Sequence, residues 1–422
     1  MQKYWLNFIV VVNFCLLLIG FATSYADEMF ESYELLVESE ILLVEVVDHI
    51  SAGEFTQAVN KLKSILQDQP NFRLANLLYA DLMAVRSGQL LTFGKGTKDE
   101  SKIAQLLEEG KRRYQHSKLE VAHQSNMIPE ALLQISSSQN RVVVIDSTLS
   151  RAHVFENGFN GLQLIDDYYA TVGENGLVKT VEGDKRTPVG VYFITSRLNP
   201  LGLDDLYGDG ALPLNYPNEW DQRLGRTGYG IWIHGVPSDT YSRPPFATEG
   251  CIALPNDDIK KLYNTPGIHN TPVIISSKVN WVKASSVNPL RRVLLKNIEQ
   301  WRSEWVERNY EAHLAFYSNE FLADNADYQT LVHSKEKIET TLSVAISDIS
   351  LFKYPENPDL VVATFMVTHW REKDETSLRI RQYWKNESGN TWRIVHEGPA
   401  IYKPVHFRGI PENLVPVMAK NN

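Results

Sequence analysis

The chain has 422 residues, 43% hydrophobic and 22% charged. That balance belongs to an ordinary globular protein able to bury several cores, and the length suggests about two to four domains. A formal net charge of −9 excludes a general nucleic-acid binder, whose electrostatic footprint is basic.

Lys3 gives a short positive start. Residues 6–22 are apolar apart from Asn7 and Asn13, and Ser24-Tyr25-Ala26 is a small-x-small cleavage signature ahead of Asp27. Residues 1–26 are expected to be a signal peptide that sends the chain to the periplasm. The apolar run is near the lower limit for a membrane span, so an uncleaved inner-membrane anchor is the alternative. Cys15 lies mid-run with no small residue before it, a poor lipoprotein box. Signal removal leaves Cys251 as the sole thiol, without a partner for an intramolecular disulfide.

Residues 27–139 are expected to form a helical domain. Ser32 to Ile50 carries apolar residues at helical spacing, and Ser51-Ala52-Gly53 breaks it. Phe55 to Gln67 and Phe72 to Arg86 read as a helix pair around Pro70. Gly53, Ala58, Pro70, Ala75, Tyr79 and Ala80 resemble one tetratricopeptide-like hairpin. One hairpin cannot hold an array together, so this domain is expected to pack on neighbours or to form a homodimer. Leu90 to Asp99 reads as a loop and Glu100 to Tyr114 as a further helix.

From Asn140 the period changes, and a mainly-β domain is expected over residues 140–278. Arg141 to Asp146, Ala152 to Glu156, Leu162 to Val172 and Gly190 to Thr195 read as strands. Gly183-Asp184 and Thr187-Pro188 are turn chemistry. Pro200 to Arg226 reads as a long polar loop, the kind that walls a functional cleft. Ile231-Trp232-Ile233 is a strand that delivers His234 and Gly235. Thr248-Glu249-Gly250-Cys251 follows on a loop, Asp257 to Tyr263 is a short helix, and Thr271 to Ser276 closes the domain. Residues 279–296 read as a linker.

Residues 297–422 are expected to form an α+β domain: an amphipathic helix from Asn297 to Tyr317, with Trp301, Trp305, Ala312 and Phe316 on one stripe, then a curved meander. Its strands are Val344 to Tyr354, Leu360 to Arg371, Ser377 to Asn386 and Thr391 to Glu397. Trp301, Trp305, Phe365, Trp370, Tyr383, Trp384 and Trp392 are expected in its core.

One imidazole and one thiol are thus presented by loop edges of one local unit, and a thiol becomes a nucleophile when a base takes its proton. His234-Gly235 and Thr248-x-Gly250-Cys251, with upstream Gly183-Asp184-x-x-Thr187-Pro188-x-Gly190-x-Tyr192, resemble the catalytic domain of YkuD-type L,D-transpeptidases over Arg141 to Ser277. The region from Trp301 resembles the NTF2-like domain attached to some members, and the three-part order is similar to that of cell-shape L,D-carboxypeptidases. The resemblance implies an α-helical N-terminal domain, a mainly-β YkuD-like catalytic domain and an α+β NTF2-like C-terminal domain. It implies peptidoglycan stem peptides containing meso-diaminopimelate as substrate, Cys251 as nucleophile, His234 as general base and acid, and the Gly235 carbonyl orienting the imidazole. Backbone N–H groups of Gly250 and Cys251 would hold the oxyanion.

Many members carry Ser-His-Gly-Cys followed by an apolar residue and Arg. Here Glu249 replaces that His and Ala253 that Arg. The lost cation puts carboxylate recognition and acceptor choice in question, and Arg226 and Arg243 are candidates to replace it. Thr248 and Tyr192 are further candidates to contact substrate. No cofactor is expected. His153, His269 and His313 lack ligand-spaced neighbours, so no metal site is read. Three readings remain: cross-linking of stem peptides or anchoring of a protein acceptor, hydrolysis of the same acyl-enzyme, and a wall-binding scaffold with an inactive site.

Overall fold

The computed structural model describes residues 39–88, 99–118, 126–159, 161–323, 342–371, 374–389 and 391–400. The expected signal segment with Cys15, most of the loop from Leu90, and residues 401–422 of the expected last domain lie outside them. Among the described residues no helix is long and apolar enough to cross a membrane. They divide into two units, with the boundary after Glu100.

The first unit is helical: α1 over residues 39–51, α2 (Phe55–Asp68) and α3 (Arg73–Arg86). Gly53 turns the chain after α1 with a φ of +76°, a conformation that favours glycine. Ala58, Val59, Leu62 and Ile65 of α2 are buried, as are Leu74, Ala75, Leu78 and Leu82 of α3. Both sets follow helical spacing and supply the apolar seam.

The second unit begins within α4 (Glu100–Ser117), at Ser101. Here the helical expectation up to residue 139 fails. Met127–Pro129 and Leu132–Gln134 are strands, too short to show a period in sequence. Met127–Pro129 pairs with Trp281–Lys283, and Leu132–Gln134 joins the edge of the C-terminal sheet. The linker expected at 279–296 is likewise ordered. It holds the strand Trp281–Lys283, a 3-10 turn (Ala284–Val287) and the first half of α7 (Asn288–Val306).

The middle of the unit is a five-stranded sheet in the order Gly161–Tyr169, Arg151–Gly158, Arg141–Asp146, Pro272–Ser276, Gly190–Phe193. Its central strand explains the architecture. Val142 and Val144 face one side and Val143 and Ile145 the other, and all four are buried. Val143 and Ile145 pack with Ile233, Ile252, Ile259 and Leu262, which belong to the layer carrying His234 and the Cys251 loop. Val142 and Val144 pack with Leu132, Phe352, Val362 and Tyr383, from the edge strand and the C-terminal sheet. A continuous apolar run is what a strand covered on both faces requires. The long loop expected at 200–226 contains the strand Ala211–Pro213 and the one-turn helix α5 (Glu219–Arg223). That strand pairs with Trp232–His234, which pairs in turn with Ile252–Ala253. The helix α6 (Asn256–Asn264) follows.

The C-terminal sheet has six strands, in the order Tyr317–Ala323, Thr391–Pro399, Asp374–Ser388, Leu360–Arg371, Leu342–Lys353, Leu132–Gln134. Leu294, Ile298, Trp301 and Trp305 form one stripe of α7 and pack against Phe365, Trp384 and Ile394 of that sheet. The expected helix from Asn297 to Tyr317 is therefore displaced: Ala312 lies in a separate short helix (Tyr310–Leu314), and Tyr317 already begins a strand. Trp370, expected in the core, is 37% exposed, because its strand runs past the covered part of the sheet.

Glu397 is buried in this sheet and accepts hydrogen bonds from Tyr317 Oη at 2.9 Å and Gln382 Nε2 at 2.7 Å. Burial pushes its carboxyl up to about 8 from 4.5. The folded state therefore holds a proton that the unfolded chain releases, so this contribution is full below about pH 4.5 and is lost as pH rises through about 8. Glu397→Gln is expected to flatten the fall in urea midpoint between pH 5 and 8.5; an unchanged pH slope would sink the assignment.

Candidate active site

His234 closes its strand, and the parallel pairing of Ile252 with Ile233 and Ala253 with His234 brings the following Cys251 loop alongside it. Leu254 N–H donates to the His234 carbonyl at 2.9 Å. His234 is 3% exposed and its Nδ1–H donates to the Gly235 carbonyl at 2.6 Å, which leaves Nε2 as the basic nitrogen. Gly235 is fixed in turn. Its N–H donates to the Tyr207 carbonyl at 2.9 Å, and a Cβ there would collide with Asn256 Oδ1. Asn256 spans Val236 with both ends of its amide, accepting from Val236 N–H at 3.1 Å and donating to its carbonyl at 2.9 Å.

Cys251 is half-buried, and its thiol donates to the Gly230 carbonyl at 3.3 Å. Leu203 and Tyr207, from the expected wall segment, pack with it against Trp232. Tyr207 also meets the His234 ring edge-on at 5.2 Å. Burial pushes the thiol up to about 11; the Trp232 N–H and the Arg243 and Lys179 cations act against that. Burial pushes the imidazole down to about 4, the Gly235 carbonyl resists, and the Arg243 cation adds to the fall. At neutral pH the resting pair is thiol and neutral imidazole, so the proton must move during attack.

The loop carrying Cys251 is built from the upstream turn. Gly250 has a φ of +121°, and a Cβ on it would lie 2.8 Å from the Arg186 carbonyl oxygen. Thr187 Oγ1 donates to the Gly250 carbonyl at 2.9 Å and accepts from Gly173 N–H at 2.9 Å. Asp184 organises that turn, accepting from Lys179 Nζ at 2.7 Å and from three backbone N–H groups. The four donors outweigh its burial and hold its carboxyl down at about 2.

Several expected site residues stand elsewhere. Thr248 is buried: its hydroxyl donates to the Cys251 carbonyl at 2.7 Å and accepts from Gly250 N–H at 3.2 Å. It shapes the loop, and it engages the Gly250 N–H expected to serve an oxyanion. Tyr192 is fully buried, with its hydroxyl donating to Asp221 at 2.9 Å. Arg226 is paired with the same Asp221 at 2.8 Å. These two residues satisfy the buried Asp221 carboxylate from two sides. Ala253, where the resemblance expects Arg, is 1% exposed and bonds its backbone to Thr171 in both directions. Arg243 does reach the pair electrostatically, and its guanidinium donates to the Leu206 carbonyl at 3.4 Å.

Sequence reasoning missed Asn256, Tyr207, Lys179 and the Gly230 carbonyl. Tyr207 was legible only as part of a polar segment, and the other three carry no motif. Among the described residues no group of three His, Cys, Asp or Glu side chains is placed to hold a metal.

Residues 140–275 match the YkuD L,D-transpeptidase catalytic domain, and residues 293–398 match the Cds6 C-terminal NTF2-like domain. Among solved structures, the chain resembles Bd1075 of Bdellovibrio bacteriovorus at 29% identity and a TM-score of 0.55, over 66% of this chain and 99% of that one. It also resembles the helical cell shape determining protein Pgp2 of Campylobacter jejuni, at 26% identity and a TM-score of 0.53, over 64% of this chain and 95% of that one. No curated protein matches the chain significantly.

Proposed function

We propose that this chain, which carries a YkuD L,D-transpeptidase catalytic domain and a Cds6 C-terminal NTF2-like domain, is a periplasmic cysteine acyltransferase that remodels peptidoglycan. The observation that carries the reading is the Cys251–His234 pair inside that domain, with Nδ1 of the imidazole committed to Gly235 and the thiol on the adjoining loop. The substrate is the L-centre carbonyl of meso-diaminopimelate in a stem peptide. Cys251 Sγ attacks that carbon while its proton passes to His234 Nε2, and the carbonyl electron pair moves onto oxygen. Collapse of the tetrahedral species breaks the bond to D-alanine, whose nitrogen takes the proton from His234. The thioester then passes to an acceptor, with His234 taking the acceptor's proton. Cys251 N–H is the oxyanion donor left by the engagement of Gly250 N–H with Thr248; such a donor is worth roughly 3 kcal/mol of barrier.

An amine acceptor gives a cross-link or an anchored protein, and water gives a trimmed tripeptide. Ala253 favours water as the second reading, because a small buried side chain stands where many members present a cation. Likeness to a helical cell shape determining protein is compatible with either product. The test is mass spectrometry of tetrapeptide muropeptides incubated with the purified protein and with Cys251→Ala. Dimers joined through two diaminopimelates are the expected product, tripeptide plus free D-alanine would select hydrolysis, and no Cys251-dependent change would overturn both.

A further inference from the structure

The loop between His234 and Cys251 is held from outside its own domain sheet by α4, through a buried ion pair that the reaction above does not use. Glu109 is 1% exposed and Arg113 2%. Glu109 Oε1 accepts from Arg113 Nε at 3.1 Å, from Arg113 Nη2 at 3.0 Å and from Ser242 Oγ at 2.8 Å. The Arg113 guanidinium lies 3.8 Å over the Tyr169 ring. One residue along α4, Arg112 lies 4.6 Å over Phe246, at the far end of the same loop. On the other side, Thr171 Oγ1 donates to the Arg243 carbonyl at 3.0 Å and Val172 N–H to the Pro245 carbonyl at 2.9 Å. Ser242 and Arg243 are thus gripped from two directions. The Arg243 side chain leaves that grip toward the carbonyl of Leu206, the residue before Tyr207, whose ring meets His234.

Burying an ion pair is a poor way to dock a helix, since apolar side chains of the same volume do so at least as well. What the carboxylate adds is a directional acceptor for one hydroxyl, next to the arginine whose cation acts on both members of the pair. We propose that Glu109 of α4 is a positioning residue: through Ser242 it fixes the loop that sets the Arg243 guanidinium against the wall segment bordering Cys251 and His234. The inference rests on Cys251 being the nucleophile. The other charges acting on the sulfur are Lys179 and Glu249 on the flanking loops; Tyr207 packs on the wall, and His234 ends the strand paired with the one that follows Cys251. Lys179 is already bound to Asp184, so its charge stays in place when the Ser242 loop moves.

The test reads the thiol and needs no wall substrate: the rate of Cys251 alkylation by iodoacetamide at pH 8, at low and high salt. Arg243→Gln is expected to slow alkylation about 3- to 10-fold at low salt, because a lost cation disfavours the thiolate, and to reduce the slowing that salt causes in the parent. Ser242→Ala is expected to move both readouts in the same direction, Ser242→Thr to restore them, and the double variant to be no slower than Arg243→Gln alone. Glu109→Asp, which keeps the charge for Arg113 but withdraws the acceptor from Ser242, is expected to match Ser242→Ala and serves if that variant does not fold. Parent-like rate and salt dependence in Ser242→Ala and Glu109→Asp, even with a lowered melting temperature, would overturn the proposal. So would a double variant slowed by the product of the single effects. A protein inert toward muropeptides that still shows the expected alkylation pattern would refute the proposed reaction and leave this inference standing.

Discussion

Replacing His234 with Ala is expected to lower the rate of acyl-enzyme formation on a stem tetrapeptide by about 10²- to 10⁴-fold. Burial holds the thiol up at about 11, so at pH 7 only about one resting molecule in 10⁴ carries a thiolate. The attack therefore depends on transferring the proton to a neutral imidazole in the same step. Burial pushes that imidazole down to about 4, which keeps it available as a base across the neutral range. In the parent the rate is expected to rise through about pH 4 as His234 loses its proton, and then to stay level to pH 9. In His234→Ala the plateau disappears, and the rate climbs about tenfold per pH unit toward the pKa of the thiol. Rapid-quench mass spectrometry of the thioester at pH 3 to 9 measures both. A variant that keeps more than a tenth of the parent rate at pH 7 would show that another group takes the proton.

Arg381→Ala is expected to cost roughly 3–5 kcal/mol of stability. Arg381 belongs to the C-terminal sheet and is 1% exposed; its guanidinium pairs with Glu219 of α5 and lies 4.4 Å over the Phe193 ring. Tyr383 Oη donates to the other Glu219 oxygen at 2.9 Å. Burial pushes the Glu219 carboxyl up, and Arg381 more than reverses that, leaving it below its usual value. The sign follows: the pair stabilises the parent above the unfolded carboxyl pKa and is lost as pH falls through the lowered folded one. Without the arginine, a carboxylate is left buried and unpaired, its pKa rises, and the loss is largest at neutral pH and smaller near pH 4. Urea unfolding at pH 4 and pH 7 checks this. Arg381→Met with Glu219→Gln should recover most of the deficit, because the damage comes from the orphaned charge. A loss under 1 kcal/mol in Arg381→Ala at pH 7 would mean that water reaches Glu219 freely.

How much of this was legible in the sequence varies with the range of the interaction involved. Val142 to Ile145, the long strands from Leu360 and Thr391 and the stripe through Trp301 and Trp305 show their period locally, and their secondary structure can be read directly. His234 and Cys251 stand out because imidazole, thiol and adjacent glycines combine at a recognisable spacing. Residue type alone does not say where a side chain points in an irregular loop. Thr248 turns inward to its own loop and Tyr192 is spent on Asp221. Asn256, Lys179 and the Gly230 carbonyl act through contacts made across the fold. The strand Leu132–Gln134 was missed for the same reason: its identity comes from Leu351 and Phe352, not from its neighbours in the chain.

That strand also bears on how the molecule is assembled in time. Gln134 Nε2 donates to the Ile349 carbonyl, 215 residues further on, so the outermost strand of the last sheet is synthesised before the whole catalytic domain. It has no partner until almost the entire chain has emerged. A chain that emerges N-terminus first thus presents a catalytic domain whose apolar face at Val142 and Val144 still awaits its cover. A shortened gene starting at residue 140 or stopping at residue 278 would not yield a self-contained cassette. It would leave an open sheet edge in one product and a bare hydrophobic face in the other, and both invite aggregation.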